Sequence, residues 1–318
     1  MTQEARNDPA GGSASASPVI SAAGVTKSWG TNQVFSDVTV QVPPGVTGLL
    51  GSNGSGKTTL LGMLLALHQP DSGTLQVLGK NPATAGSELR TKIGYAPEHH
   101  NLPGDVLAQD LVRHIALVHG LPKREATTHA SDALWLVGLG EERARPVGTM
   151  STGQRQRVKL AQAIAHGPDL VLLDEPTDGL DPVQRDDMLE LIRKVGTDFG
   201  IHIMLSSHLL EEVERIADNV VILAGGTVRA AGPLSSLRTG TGGMTAVLDG
   251  GHEAVMADLS RRGLSVEMER NKLKLSGASD DVLADALRDA IADSGASLRR
   301  LEPARQSLED LFLDEVYQ

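Results

Sequence analysis

The chain has 318 residues, with 40 acidic against 29 basic side chains and a formal net charge of −11. That balance argues against general nucleic-acid binding, which needs lysine and arginine to neutralise phosphates. The absence of cysteine excludes a disulfide framework and any cysteine-based metal or redox site, and no apolar run reaches the roughly eighteen residues of a membrane-spanning helix.

Residues 1–18 are rich in Ala, Gly, Ser and Pro and are predicted to be a disordered tail. They lack the hydrophobic stretch of a signal peptide, and Glu4 and Asp8 stand where basic residues would be expected. Residues 19–48 alternate apolar and polar in short runs, as in Val38-Thr39-Val40-Gln41-Val42, which suggests antiparallel strands broken by a turn at Pro43-Pro44-Gly45. Residues 46–50 read as a short buried strand and Leu60 to Leu67 as a buried helix. Another strand is expected over 74–78, and the pattern from about 104 to 166 is helical. Strands follow at 169–174 and 201–205, then a helix at 209–217 and a hairpin over 220–229 turning at Gly225-Gly226. Residues 238–243 read as a linker. Beyond it come strand 244–249, helix 252–262, strands 264–269 and 272–276, helix 279–294 and strand 296–301, the βαββαβ order of a ferredoxin-like unit. A last amphipathic helix is expected over 307–316.

Between the strand at 46–50 and the following helix lies Gly51-Ser52-Asn53-Gly54-Ser55-Gly56-Lys57-Thr58-Thr59, which fits the phosphate-loop pattern G-x-x-x-x-G-K-[ST]. Its glycines allow backbone N–H groups to turn around phosphate oxygens. Lys57 can reach the β- and γ-phosphates, Thr58 can offer its hydroxyl to Mg²⁺, and the helix N-terminus attracts the anion. Leu170-Val171-Leu172-Leu173-Asp174-Glu175 places two acids at the carboxyl end of a buried strand, where open α/β sheets bind their ligands. Asp174 there suits Mg²⁺, and Glu175 suits polarising a water for attack on the γ-phosphate. Ser151 followed by Gln154 fits a capping box. That segment is either an ordinary capped helix or an exposed helix N-terminus at which Ser151 Oγ and the Gly153 N–H contact a phosphate.

Together these residues resemble the nucleotide-binding subunit of an ATP-binding cassette (ABC) transporter over about residues 19–235. Gly51–Thr59 resembles the Walker A loop, Met150–Gln154 the L-S-G-G-Q signature, Leu170–Glu175 the Walker B strand with its catalytic glutamate, and Gly179-Leu180-Asp181-Pro182 the D-loop. His208 resembles the switch histidine, and Trp29 stands where the family places an aromatic that stacks on adenine. Three positions depart: Met150 replaces Leu, Thr152 replaces the first signature glycine, and Glu98 replaces the Q-loop glutamine. Glu98 keeps an oxygen for Mg²⁺ but loses an amide donor and adds negative charge.

The resemblance implies an α/β fold of the P-loop NTPase type. It has a RecA-like core, an antiparallel β subdomain and a helical subdomain over 19–237, with a small C-terminal α+β unit over 244–318. It implies an ATPase with Lys57, Glu175 and His208 as catalytic residues. ATP is held by Trp29, Gly51, Ser52, Asn53, Gly54, Ser55, Gly56, Lys57, Thr58 and Thr59, and Mg²⁺ by Thr58, Glu98 and Asp174. It further implies a head-to-tail homodimer, or a pair with a second ABC ATPase, in which Ser151, Gly153 and Gln154 of one copy close on the nucleotide of the other. Separate membrane permease subunits would hold the dimer at the cytoplasmic face of the membrane, and no nucleic acid is expected. The segment from Glu98 to about His119 is similar in position to the region that meets a permease. The ending Ser307-Leu308-Glu309-Asp310-Leu311-Phe312 resembles the tail of ABC-2-type exporter ATPases. The alternatives are an importer ATPase, or a soluble cassette ATPase acting on ribosome or DNA.

Overall fold

Three sheets organise the described residues, and the six-stranded one positions the phosphate loop and the two acids after its buried strand. The computed structural model describes residues 17–98, 102–238, 243–269, 272–278 and 280–303. The expectations for residues 1–16, for 239–242 and for the helix over 307–316 lie outside the described residues.

Strands β1 (Ile20–Trp29) and β2 (Asn32–Val42) pair antiparallel. After β3 (Val46–Leu50) and helix α1 (Lys57–Leu64), strand β4 (Ser72–Val77) joins the other side of β1, giving the order β2-β1-β4. The alternation anticipated over 38–42 is the pleat of β2, with Val38, Val40 and Val42 buried. Helix α2 (Pro82–Arg90) has no counterpart among the expected elements. It starts from an Asn81 side chain that accepts the Ala83 N–H, with Pro82 in the first turn.

Strand β5 (Ile93–Ala96) is likewise too short to stand out in the sequence. The helical stretch resolves into α3 (Ala108–Val118), α4 (Lys123–Leu136) and α5 (Thr152–Ile164), packed through Val112, Leu134 and Val158, all fully buried. Strand β6 (Leu170–Asp174) follows, buried at every position as a strand covered on both faces must be. Helix α6 (Pro182–Phe199) is a second unanticipated element. Asp181 caps it by accepting the Gln184 N–H, Pro182 opens its first turn, and Gly200 at φ 64° ends it. Then come β7 (His202–Ser207), α7 (Leu210–Ile216), and the hairpin β8 (Asn219–Ala224) and β9 (Thr227–Pro233), with α8 (Leu234–Arg238) closing the unit.

The central sheet runs β5-β6-β7-β3-β8-β9, parallel except for β9. Its register aligns Asp174 of β6 with Ser206 of β7, and Ser206 with Leu49 of β3. The loop after β3, the acids ending β6 and the serines ending β7 therefore share one carboxyl edge. Among the described residues three buried clusters lie around this sheet, one toward α3–α6, one toward α1 and the antiparallel strands, and a smaller one toward α7 and α8.

Strand β10 (Gly243–Asp249), helix α9 (His252–Arg261), β11 (Ser265–Glu269), β12 (Lys272–Ser276), α10 (Asp280–Ser294) and β13 (Ser297–Pro303) form the βαββαβ unit. Its antiparallel sheet has the order β11-β12-β10-β13, the ferredoxin-like arrangement. Ala246, Leu248, Leu273 and Leu275 face Val255, Leu259, Leu283 and Leu287 in a core of its own. Surface ion pairs decorate this unit: Arg261 and Arg262 with Asp258, Arg299 with Asp249, and Arg300 with Glu302.

Candidate functional site

The carboxyl edge of the central sheet opens into a cleft of about 520 Å³. It is lined by Ser52, Asn53, Gly54, Gly56, Lys57, Thr58 and Thr59 from the phosphate loop and α1, by Asp174 and Glu175 after β6, and by Trp29, Glu98 and His208. That size suits a small-molecule ligand. Asn32, Val34 and Asp178 also line it. They carry no sequence signal of their own and arrive with the β1–β2 turn and the segment after Glu175.

The loop holds its shape through backbone that only glycine adopts easily. Gly56, the residue before α1, has φ 101°, and a Cβ there would come 2.6 Å from Phe35 Cζ. A Cβ on Gly51 would come 2.3 Å from Ser55 Oγ. The first turn of α1 carries no acidic residue of its own, and its free N–H groups turn the positive end of the helix toward the cleft.

Lys57 is buried and donates to Gly51 O at 2.7 Å and Ser52 O at 3.4 Å, while its ammonium sits 3.3 Å from Glu175 Oε1. Thr58 Oγ1 donates to Asp174 Oδ2 at 3.2 Å, which brings two oxygens suited to a hard cation to one point. Ser206 ties the second carboxylate to the first. Its hydroxyl donates to Asp174 Oδ1 at 2.7 Å and accepts the Glu175 N–H at 2.9 Å. Ser206 is a functional residue that the sequence leaves unmarked, because its link to Asp174 exists only in the β6–β7 register. The Glu175 backbone stands at φ 47°, a strained conformation for a non-glycine residue that these bonds hold in place. On its other oxygen, Glu175 Oε2 lies 2.9 Å from His208 Nδ1. A carboxylate only accepts, so Nδ1 carries the proton in this pair.

Two buried polar atoms at this edge have no hydrogen-bond partner, Ser55 Oγ in the loop and Glu175 Oε1. The first is a hydroxyl suited to a phosphate oxygen and the second an acceptor suited to a water. The residues present thus fit a nucleotide phosphate chain. They fit a divalent cation as well, since Asp174 and Thr58 offer hard oxygens. Among the described residues no group of three His, Cys, Asp or Glu side chains is placed to hold a metal ion.

Trp29 forms one wall. Lys27 Nζ lies 4.8 Å from its ring centroid and the His68 ring meets it edge-on at 4.8 Å, which fixes the indole while leaving 47% of the residue exposed. Lys27 is anchored by Asp71, whose carboxyl is held below its usual range by Lys27 first and the Ser28 N–H second.

The capping box at α5 is present in both directions: Ser151 Oγ accepts the Gln154 N–H at 3.2 Å and Gln154 Oε1 accepts the Ser151 N–H at 3.1 Å. Ser151, Gly153 and Gln154 do not line the cleft of their own chain. Thr152 is the first helical residue of α5, a backbone that a β-branched side chain tolerates, and its hydroxyl accepts from Arg155 at 3.2 Å. At Gly153 a Cβ would come 3.0 Å from Gln184 Oε1, the far end of a flexible side chain that can shift to admit it.

Helix α5 also grips the cleft walls from behind. Lys159, buried, donates to Pro97 O at 3.2 Å and Glu98 O at 2.7 Å, and Gln156 donates to Asp178 O at 3.2 Å. Desolvation lowers the Lys159 ammonium below its usual range, against the pull of Asp178 and Glu98. The other side of this segment faces a largely apolar groove of about 480 Å³, lined by Leu65, Leu67, Tyr95, Pro97, Leu102, Leu111 and Ile115 with His119 and His166. Burial first, then the Asp174 and Glu98 carboxylates, push the Tyr95 hydroxyl up to about 12, so it stays neutral.

A protein-family model described as "ABC transporter" matches residues 35–178. The bacitracin transport ATP-binding protein BcrA of Bacillus licheniformis is 34% identical, over 70% of this chain and 72% of that protein. The linearmycin resistance ATP-binding protein LnrL of Bacillus subtilis is 28% identical over 93% of this chain and 97% of its own length. A methionine import ATP-binding protein, MetN 1 of Listeria monocytogenes, is 33% identical over 68% of this chain and 66% of its own. Among solved structures, one titled "Structure of ATP binding subunit of ABC transporter" superposes with a TM-score of 0.61 at 28% identity, covering 69% of this chain and 92% of that one.

Proposed function

The chain belongs to the ATP-binding subunits of ABC transporters, and from that premise we propose how it divides the work of ATP hydrolysis between two copies. It is an ATPase whose hydrolysis drives transport. ATP with Mg²⁺ supplies the γ-phosphoryl group that is cleaved. Lys57, the Gly51–Thr59 amides and Ser55 bind the phosphates, and Trp29 stacks on the adenine. Thr58, Asp174 and Glu98 hold Mg²⁺. Glu175 orients and deprotonates the attacking water, and His208, bonded to it through Nδ1, fixes its carboxylate.

One observation carries the two-copy reading. The cleft gathers a lysine, a metal carboxylate and a water base, yet among the described residues no arginine lines it and Ser151–Gln154 lie outside it. Four carboxylates (Glu98, Asp174, Glu175 and Asp178) face one lysine, so the charge that builds on the phosphoryl group lacks a full complement. The N-terminus of α5 from a second copy, with Ser151, Gly153 and Gln154, supplies it. The pair is a homodimer or a pairing with a second ABC ATPase, closed by ATP and opened by hydrolysis.

No helix among the described residues is long and apolar enough to cross a membrane. The transport path is therefore assigned to separate permease subunits, with this subunit at the cytoplasmic face. The apolar groove beside residues 97–119 is the surface that meets them. Export is the favoured direction, on the resemblance of residues 307–312 and on relatives named for bacitracin transport and linearmycin resistance.

Glu175→Gln tests the half-site. With ATP and Mg²⁺ it sediments as a dimer, and adding Ser151→Arg returns it to monomer while ATP still binds. A monomer at saturating ATP, or a dimer indifferent to Ser151→Arg, overturns the reading.

A further inference from the structure

We propose that Arg185, half-buried, and the buried Glu212 and Ser207 form a positioning relay that sets the His208 ring against Glu175 and ties its placement to helix α6. Ser207 and Glu212 are almost completely buried. The Ser207 hydroxyl lies 2.6 Å from Glu212 Oε2, a charge-assisted bond, and accepts the Leu209 N–H at 2.9 Å. Those two bonds clamp the residues on either side of His208 and fix the turn from which its imidazole reaches Glu175 Oε2 at 2.9 Å.

The other carboxylate oxygen of Glu212 has no hydrogen-bond partner and faces Arg185 Nε at 3.3 Å. A buried carboxylate is tolerated when a cation faces it, so the position of Glu212 depends on Arg185. Arg185 sits in the first turn of α6, four residues after the capping residue Asp181, whose carbonyl accepts its N–H, and close behind the segment 179–182 that resembles the D-loop. A displacement of α6 thus reaches His208 through two side-chain contacts. None of the three relay residues lines the nucleotide cleft.

The relay rests on the reading of Glu175 and His208 as the hydrolytic pair, and the experiment separates the two. Turnover at saturating ATP, ATP affinity and thermal stability are measured for Ser207→Ala, Glu212→Gln, Arg185→Met, Arg185→Lys and His208→Ala. A displaced catalytic group lowers kcat by about ten- to a hundredfold. That loss is expected for Ser207→Ala, Glu212→Gln and Arg185→Met, with ATP affinity within about twofold of the parent, because phosphate and adenine contacts are untouched. Arg185→Lys retains most of the parent rate. In Arg185→Met/Glu212→Gln the uncompensated charge is gone, so stability recovers while kcat stays low.

Full turnover in folded Ser207→Ala and Glu212→Gln overturns the relay, as does a kcat that recovers in step with stability in the double variant. If His208→Ala itself turns over at the parent rate, the failure lies with the hydrolytic pair and the relay falls with it. If His208→Ala is impaired and the relay variants are not, the relay alone is refuted.

Discussion

Replacing Lys57 by methionine keeps the aliphatic stem and deletes the ammonium. In the nucleotide-free protein that ammonium faces Glu175 Oε1 at 3.3 Å, both side chains being less than a tenth exposed. Removing one partner of a buried pair costs about 3–5 kcal/mol, because the other charge is left without compensation. Glu175 keeps His208 at 2.9 Å on its second oxygen, which places the loss at the lower end of that range. Gly51 O also loses its donor, which adds about 1 kcal/mol. Lys57→Met should therefore destabilise the nucleotide-free protein by about 3–4 kcal/mol, and Glu175→Gln on top of it should recover about 2 kcal/mol. Urea unfolding followed by tryptophan fluorescence reports this directly, since Trp29 and Trp135 both lie within the ATPase unit and none in the βαββαβ unit. The same variant should lose the stabilisation that ATP gives the parent. Strictly additive single and double variants, with coupling below about 0.5 kcal/mol, would refute the pairing and with it the account of how Lys57 is held ready for phosphate.

Three further outcomes are expected. Burial first, then the His119 ring stacked 3.7 Å away, push His166 down to about 4. A histidine depressed from the ordinary 6.5 gives full stability above that pH and loses about 3 kcal/mol as pH falls to about 4. The stability difference between parent and His166→Phe should change by that order across the window, and a constant difference rejects it. Lys159→Met leaves Pro97 O and Glu98 O without their donor, at about 1–3 kcal/mol. Amide exchange over 93–98 should quicken while that of β3 does not, and unchanged protection there would remove Lys159 as the anchor of Glu98. Gly56→Ala, forced into φ 101° and against Phe35, should lower ATP affinity at least about tenfold, and parental affinity in that variant would count against the loop geometry.

Much of the site is legible along the chain, and for a local reason. A phosphate loop needs glycines at fixed offsets before a helix, so Gly51, Gly56, Lys57 and Thr58 announce themselves within nine residues. An apolar run ending in two acids marks Asp174 and Glu175 for the same reason, because a strand buried on both faces can be polar only at its end. The βαββαβ order of the last unit was equally plain from alternating and helical periods. Ser206, Asp178, Arg185, Glu212 and Lys159 left no such trace. Their contacts join residues far apart in the chain: Gln156 meets Asp178 after 22 positions, Arg185 meets Glu212 after 27, Ser206 meets Asp174 after 32, and Lys159 meets Glu98 after 61.

Local chemistry alone thus marked a phosphate loop at Gly51–Thr59, a pair of acids at the end of a buried strand, and a capped helix N-terminus at Ser151. Only the tertiary structure decided that this N-terminus lies outside the cleft of its own chain, the observation from which the two-copy proposal starts. The parallel register alone brings Asp174, Ser206 and the phosphate loop to one edge, and the packing of α6 against α7 alone buries Glu212 beside Arg185. Sequence spacing fixes what a few neighbouring residues can do. Which distant side chains they meet is set by strand order and helix packing, and no single segment contains that information.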